Sequence, residues 1–266
     1  MAIPSTPGGA GADWLVPDWP APPGVWALCT TRTGGRSLPP YDSLNLGTHV
    51  GDDPAAVQAN RLALQAAVQA RTPTARAVFL NQVHGNGVVH LDAATSDGTE
   101  ADACVATAPG AVCTIMVADC LPVLFAHASG RAVAAAHAGW RGLAGGVLEA
   151  TVQALQQAVG PGAISAWLGP CIGPAAFEVG DEVREAFGPD EAVRACFQPH
   201  GPGKWLADLP ALARIRLQQA GVADLHGNDG TPGWCTVTQA SVFFSHRRDA
   251  ARLGSTGRMA ACIWFG

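Results

Sequence analysis

The chain has 266 residues, 48% of them hydrophobic, and a net charge of −5 with both signs scattered. That length and apolar content permit a sizeable core in one large domain or two small ones, and the charge excludes the basic face or tail of a nucleic-acid binder. Lys204 is the only lysine and is followed by Trp205, which excludes a Walker loop and leaves little room for Schiff-base chemistry.

The first fifteen residues, MAIPSTPGGAGADWL, contain neither a cation nor a continuous apolar segment, so they read as neither a secretory signal nor an anchor. We read residues 1–20 as a poorly ordered leader and residues 21–266 as a single catalytic domain. The longest apolar stretch is interrupted by Asp119, too early for a membrane span. With no export signal and no Cys-x-x-Cys pair, the eight cysteines read as reduced thiols in the cytoplasm.

Val25 to Thr30 predicts a first strand leading into Thr31-Arg32-Thr33-Gly34-Gly35, a loop of small residues around one arginine. The turn-rich segment from Tyr41 to Gly47 follows, then His49. Asp53 and Pro54 make a good N-cap and first helical position for an amphipathic helix over residues 55–70. Residues 77–80 and 88–91 predict short strands separated by Asn81-Gln82-Val83-His84-Gly85-Asn86-Gly87, which places His84 in a polar turn. A polar loop with Asp97, Glu100 and Asp102 leads to a strand at 103–106.

The centre of the chain is VCTIMVADCLPVLFAHASGRAVAAAHAGWRGLAGG, residues 112–146. Two β-favouring runs, 112–118 and 133–136, read as neighbouring strands that end at Asp119-Cys120 and at His137. A glycine-rich turn containing Arg141 precedes a helix over 147–159, and such a helix start favours an anion. Beyond it the pattern predicts a strand at 164–168, a rigid Gly-Pro loop around Cys171, a short helix over 178–187, irregular chain over 191–205, a helix over 208–220 and a last strand at 259–265. Irregular alternation of strands and helices, with no linker or repeat, favours one α/β or α+β domain with layered sheets.

His84, Cys120 and His137 all stand at element ends. Two imidazoles and a thiolate suit zinc with a fourth position open for water or substrate. The same residues also suit a Cys120 thiolate activated by His137, with the amides near Gly139 as an oxyanion site. Spacing alone leaves both open. A multicopper centre is less favoured, because the chain has no His-x-His pair. Arg141 is placed to hold a phosphate or carboxylate, and Arg32, Asn45 and Gln82 sit in turns able to converge on the same pocket, though each is equally plausible as a turn-stabilising residue.

Taken in order, Asn81-Gln82-Val83-His84-Gly85, Ala118-Asp119-Cys120-Leu121-Pro122-Val123-Leu124 and His137-Ala138-Gly139-Trp140-Arg141-Gly142 closely resemble the laccase-domain family of purine nucleoside phosphorylases. That family has also been called multicopper polyphenol oxidoreductase and peptidoglycan editing factor. The likeness extends to Ser43-Leu44-Asn45-Leu46-Gly47 and Phe243-Phe244-Ser245-His246-Arg247-Arg248 and covers nearly the whole chain after the leader. The resemblance implies a single-domain α/β/β/α layered fold with mixed sheets, and zinc, with copper less favoured, on His84, Cys120 and His137. It also implies phosphorolysis of adenosine, inosine and 5′-methylthioadenosine to free base and ribose 1-phosphate, in some members with deamination of adenosine. The partners implied are purine nucleosides and phosphate, with no nucleic acid and no membrane; the oligomeric state is left open. The zinc-deaminase signature is absent from the chain. Two alternatives remain at this point: a peptidoglycan-precursor editing hydrolase using Cys120 and His137, and a copper-dependent polyphenol oxidase.

Overall fold

In the computed structural model, which describes residues 13–92 and 94–266, the long apolar runs become strands with both faces buried. The first half of the chain forms β1 (Val25–Cys29), α1 (Pro54–Gln69), β2 (Arg76–Phe79), β3 (Val88–Leu91), β4 (Ala103–Ala106), β5 (Ala111–Val117), β6 (Leu121–His127) and β7 (Val133–Ala138). The second half forms α2 (Trp140–Ala144), α3 (Val147–Val159), β8 (Ile164–Leu168), β9 (Glu178–Gly180), α4 (Asp181–Ala186), α5 (Glu191–Arg194), β10 (Phe197–Gly201), β11 (Lys204–Ala207), α6 (Leu209–Gln219), β12 (Asp224–Gly227), α7 (His246–Leu253) and β13 (Met259–Phe265).

Two mixed sheets stack face to face. One has the order β1-β13-β5-β2 and the other β12-β8-β6-β7-β4-β3, with a small β10-β11-β9 sheet beside them. Because successive side chains in a strand point to opposite faces, each central strand serves two cores. Cys113, Ile115 and Val117 of β5 meet Val133 and Ala135 of β7 and Met259, Ala261 and Ile263 of β13 between the sheets. The alternate residues Val112 and Met116, with Ala260, Cys262 and Trp264, face outward onto Leu64 and Val68 of α1. On the far side Ala134, Ala136, Val123 and Phe125 carry α3 through Leu148, Val152 and Leu155, and α6 through Leu212 and Leu217. The result is helix, sheet, sheet, helix, as the resemblance implies. Each large side chain so buried is worth ~1.5–3 kcal/mol, and burial on both faces is why these strands read as continuous apolar runs and not as alternating ones.

The three predicted long helices are present as α1, α3 and α6, and two carry side-chain caps: Asp53 and Asp208 accept from Ala55 N and Ala211 N. Several expectations need correction. The runs at 112–118 and 133–136 are not neighbouring strands; β5 and β7 lie in different sheets, and β7's partner in the central hairpin is β6. Pro122, with no N–H to give a ladder, hides β6 in the sequence. The glycine-rich turn is the short helix α2. Residues 178–187 are a strand and then a helix, because Glu178–Gly180 pair with β11. The stretch 191–205 is α5 followed by the β10-β11 hairpin, whose Phe197–Gly201 strand carries a proline and a glycine and is held by pairing with β11 and by the buried Phe197. Of the leader, residues 1–12 lie outside the described residues; beyond them Trp14 and Leu15 are buried, and Leu15 exchanges backbone hydrogen bonds with Cys29.

Candidate metal centre and its cavity

Strand register assembles the centre. Pro122 stands opposite His137 and Leu121 opposite Ala138 in the β6-β7 hairpin, so Cys120, one residue before β6, lies beside the end of β7. On the other side of β7, Ala103 stands opposite Ala136, and His137 N donates to Asp102 O at 2.7 Å. Cys120, His137 and Asp102 therefore form one row across three adjacent strands at the same sheet margin.

Asp102 brings in His84. Its fully buried carboxylate accepts from the backbone N–H groups of Val83, His84 and Gly85 at 3.2, 2.9 and 2.7 Å, and from His137 Nδ1 at 2.8 Å. Four donors on one carboxylate hold the turn after β2 in place while fixing the His137 ring, leaving its Nε2 to face the centre. Burial alone would raise the Asp102 carboxyl; the bonds from His137 and from these amides outweigh it and hold it below the ordinary range. His84, at φ 63°, and Asp119, at φ 89°, are the two non-glycine residues with left-handed backbone among those described. That conformation costs about 1–3 kcal/mol where nothing compensates, and both residues are pinned. Asp119 accepts from Thr236 Oγ1 at 2.6 Å and Arg247 N at 2.6 Å, and its carbonyl accepts from Ile172 N at 2.9 Å.

The donor atoms of His84, Cys120 and His137 lie within 4.8 Å of one another, with His84 Nε2 3.8 Å from Cys120 Sγ. Bonds of about 2.0–2.3 Å to a tetrahedral zinc place its donors roughly 3.3–3.6 Å apart, so a small inward adjustment suffices. The imidazole pair is edge-on, with ring centroids 4.8 Å apart. Gly139 closes the wall: a Cβ there would stand 2.9 Å from Cys120 Sγ and 3.0 Å from His84 Cδ2. Burial would raise the Cys120 thiol, but His137 and His84 beside it bring it down to about 6. Burial would likewise lower His137, and Cys120 and Asp102 raise it to about 9. Without metal the pair is a thiolate and an imidazolium.

The three donors open into a cavity of about 490 Å³. Trp140, Ile172, Phe177 and Leu209 supply apolar surface, and His49, His246, Arg247 and Arg258 supply cationic or imidazole groups. Of the other residues expected from the sequence, Gln82 lines the cavity, but both ends of its amide pair with the Met116 backbone at 2.8 Å. Asn45 is fully buried behind the cavity, accepting from Gly47 N and Arg258 N. Arg32 stands at a separate surface depression, bound to Asp42 and Ala240 O. Arg141 is exposed with its guanidinium over Trp140, outside the cavity lining. Asp102, His49 and Arg258 carried no assignment from the sequence. Only the position of Asp102 directly before a strand hinted at a role.

A family model described as multi-copper polyphenol oxidoreductase laccase matches residues 26–266. The purine nucleoside phosphorylase YfiH of Escherichia coli strain K12 is 53% identical over 252 residues, covering 94% of this chain and 98% of that protein. The purine nucleoside phosphorylase PA4543 of Pseudomonas aeruginosa is 51% identical over 254 residues, covering 95% and 98%. Among solved structures, protein NMB0706 of Neisseria meningitidis superposes with a TM-score of 0.85 at 48% identity, covering 95% of this chain and 98% of that one. YlmD of Geobacillus stearothermophilus gives 0.85 at 31% identity, covering 100% and 99%. With its layered fold and its His-Cys-His centre, the chain belongs to the laccase-type multi-copper polyphenol oxidoreductase family, whose curated relatives here are named purine nucleoside phosphorylases.

Proposed function

We propose that the chain is a zinc-dependent purine nucleoside phosphorylase acting on adenosine, inosine and 5′-methylthioadenosine. One observation carries this reading: a three-donor centre on a carboxylate-anchored frame opens into a cavity that has an apolar wall for a purine face and cations for an oxyanion. Two imidazoles and a low-pKa thiolate are the donor set of an open zinc site, and His84, Cys120 and His137 would hold the ion. Bound there, zinc supplies a Lewis acid that polarises a ligand oxygen. Asp102 fixes the His137 tautomer, the carboxylate-histidine arrangement that strengthens a metal ligand.

In the reaction a phosphate oxygen bonds to ribose C1′ as the C1′–N9 bond breaks. The bonding pair leaves with N9, and the proton that hydrogen phosphate gives up on becoming the ribose 1-phosphate ester is balanced by the one that the departing base gains. Trp140 and Phe177 offer aromatic surface for the purine, and the cavity's cations offset the negative charge of the phosphate. A reduced Cys120 is needed for this, in keeping with a cytoplasmic setting.

Copper fits less well. A His₂Cys copper site takes a weak axial thioether, and Met116, the methionine along the cavity, directs its sulfur to Arg61 Nη2 at 4.0 Å. No second group of three metal-binding side chains occurs among the described residues. The Cys120-His137-Asp102 row favours one other reading, a thiolate hydrolase that edits peptidoglycan precursors. The second imidazole, His84, at 3.8 Å from the sulfur, is redundant in such a triad and has a purpose in a metal site.

The test is elemental analysis of protein purified without added metal, joined to chromatography of inosine and adenosine reactions with and without phosphate. Stoichiometric zinc and phosphate-dependent hypoxanthine and adenine are expected; inosine formed from adenosine would add deamination. No base release from zinc-loaded protein sinks the reading, and L-serine release from a muropeptide nucleotide supports the hydrolase.

A further inference from the structure

Arg258 is the cation whose surroundings are incomplete. It directly precedes β13, and Met259 stands opposite Val117, so Arg258 lies where β5 runs out into Asp119-Cys120. Nη1 donates to the carbonyls of Thr256 and Gly257 at 3.0 and 3.2 Å. Nε and Nη2, the side of the guanidinium that takes an oxyanion with two parallel hydrogen bonds, have no protein partner among the described residues. No carboxylate forms an ion pair with it there either. The negative groups acting on it are Cys120 and Asp119, and both Asp119 oxygens are already taken by Thr236 and Arg247 N. Arg258 is half-buried, its open Nε–Nη2 edge offers two donors to an anion, and the cavity gives onto it.

The neighbouring loop is built to hold that side chain. Asn45 Oδ1 accepts from both Gly47 N and Arg258 N at 2.9 Å, and Asn45 Nδ2 donates to Asp52 Oδ2 at 2.9 Å. Gly47 lies so close that a Cβ would stand 2.8 Å from Arg258 Cγ. His49, two residues on, also lines the cavity, and burial together with Arg258 and Arg61 favours its neutral form. A neutral imidazole beside a guanidinium can donate to one phosphate oxygen while the guanidinium binds two. Of the other arginines, Arg247 gives its Nη atoms to the carbonyls of Ala176 and Glu178, and Arg141 lies outside the cavity lining; His246 is the remaining imidazole along the cavity.

We infer that Arg258, positioned by Asn45 and flanked by His49, binds the phosphate co-substrate in the cavity beside the metal centre. This rests on the phosphorylase reading and assigns its anion subsite. The experiment compares zinc-loaded wild type with R258Q, R258K and N45A by calorimetric titration with inorganic phosphate without nucleoside, by separate KM values for phosphate and inosine, and by zinc content. R258Q is expected to weaken phosphate binding and raise the phosphate KM by about 10–100-fold, the scale of lost hydrogen bonds to a charged group. The inosine KM should stay within about twofold and zinc content should not change. R258K, a point charge without the fork, should fall between; N45A should raise the phosphate KM less than R258Q. Should R258Q not fold, R258K decides alone. Unchanged phosphate binding in the arginine variants, no phosphate binding by wild type, or equal affinity for acetate and phosphate would overturn the assignment. If wild type binds phosphate through Arg258 yet cleaves no nucleoside, the phosphorylase reading fails and the phosphate subsite stands.

Discussion

Asp102 does more for the centre than any single metal-binding side chain, since its carboxylate holds both the His84 turn and the His137 ring. Asp102→Asn keeps the shape but replaces an acceptor by a donor amide, so it leaves at least one backbone N–H or His137 Nδ1 without an acceptor. Zinc affinity, measured by chelator competition, should fall about 10–100-fold. The metal-free protein should also show its ion pair. With Cys120 lowered to about 6 and His137 raised to about 9, iodoacetamide should alkylate Cys120 at nearly its full rate at pH 7, with a midpoint near 6 and not near the ordinary thiol value. The stability signs oppose each other. The depressed thiol contributes above its unfolded value and loses that contribution as pH falls through about 6, while the raised imidazole contributes below its unfolded value and loses it as pH rises through about 9. Between the ordinary imidazole value and about 9 the folded and unfolded pairs bind the same number of protons, so the two contributions cancel and the stability of the metal-free fold should change little with pH there; zinc-loaded protein should resist alkylation throughout.

At the scale of elements, α2 matters because its N-cap Gly139 packs against two of the candidate metal-binding side chains and its Gly142 against the backbone of the His84 turn. Gly142 has room for a Cβ only 2.7 Å from Gly85 O, and Asn86 Nδ2 donates to Gly145 O at 2.7 Å, so the helix and the His84 turn are one packed unit. Gly139 stands against two ligands at once. Gly139→Ala should lower zinc stoichiometry well below one ion per chain, since the added methyl meets the Cys120 sulfur and the His84 ring, while the circular dichroism spectrum stays as in wild type. Retained full stoichiometry would show that α2 can move away without cost. By contrast Leu64→Ala on α1, remote from the cavity, removes a fully buried side chain from the outer core. It should cost ~2–5 kcal/mol in denaturant unfolding and leave zinc content unchanged.

At the scale of the whole molecule, the centre ties the two sheets together. His84 follows β2 of the four-stranded sheet, whereas Cys120 and His137 belong to the β6-β7 hairpin of the six-stranded sheet. An ion bound at the candidate centre would add a cross-link to layers already joined by apolar packing and by the bonds from the His84 turn to Asp102, and a ligand that binds only the folded state stabilises by mass action, ~4 kcal/mol at a thousandfold excess over Kd. Chelation should lower the Tm of wild type by several degrees. In Cys120→Ser, whose hydroxyl is a poor zinc ligand, the same treatment should leave the Tm nearly unchanged; an equal drop in both proteins would place the stabilising metal elsewhere.

The sequence by itself determined the elements whose information is local. Asp53-Pro54 and Asp208 mark helix starts through side-chain caps, and the runs at β5 and β13 are strands because β-favouring residues fill both faces. It also presented His84, Cys120 and His137 as chemically capable side chains at element ends, and the blocks around them were enough for the family resemblance. Only the tertiary structure decided how these parts meet. Pro122 masked β6, so the hairpin that sets Cys120 beside His137 was invisible until strand pairing was known. Asp102 and Arg258 looked like ordinary polar loop residues because their importance lies in partners 17 to 35 and 213 residues away along the chain. Arg141 had the right charge at a helix start, yet its guanidinium lies over Trp140 and outside the cavity lining, to which α2 contributes Trp140. Caps and apolar periodicity act within a few residues and can be read along the chain. The candidate metal centre is a coincidence of chain ends in space, fixed by strand register and by the carboxylate that joins the His84 turn to the His137 ring.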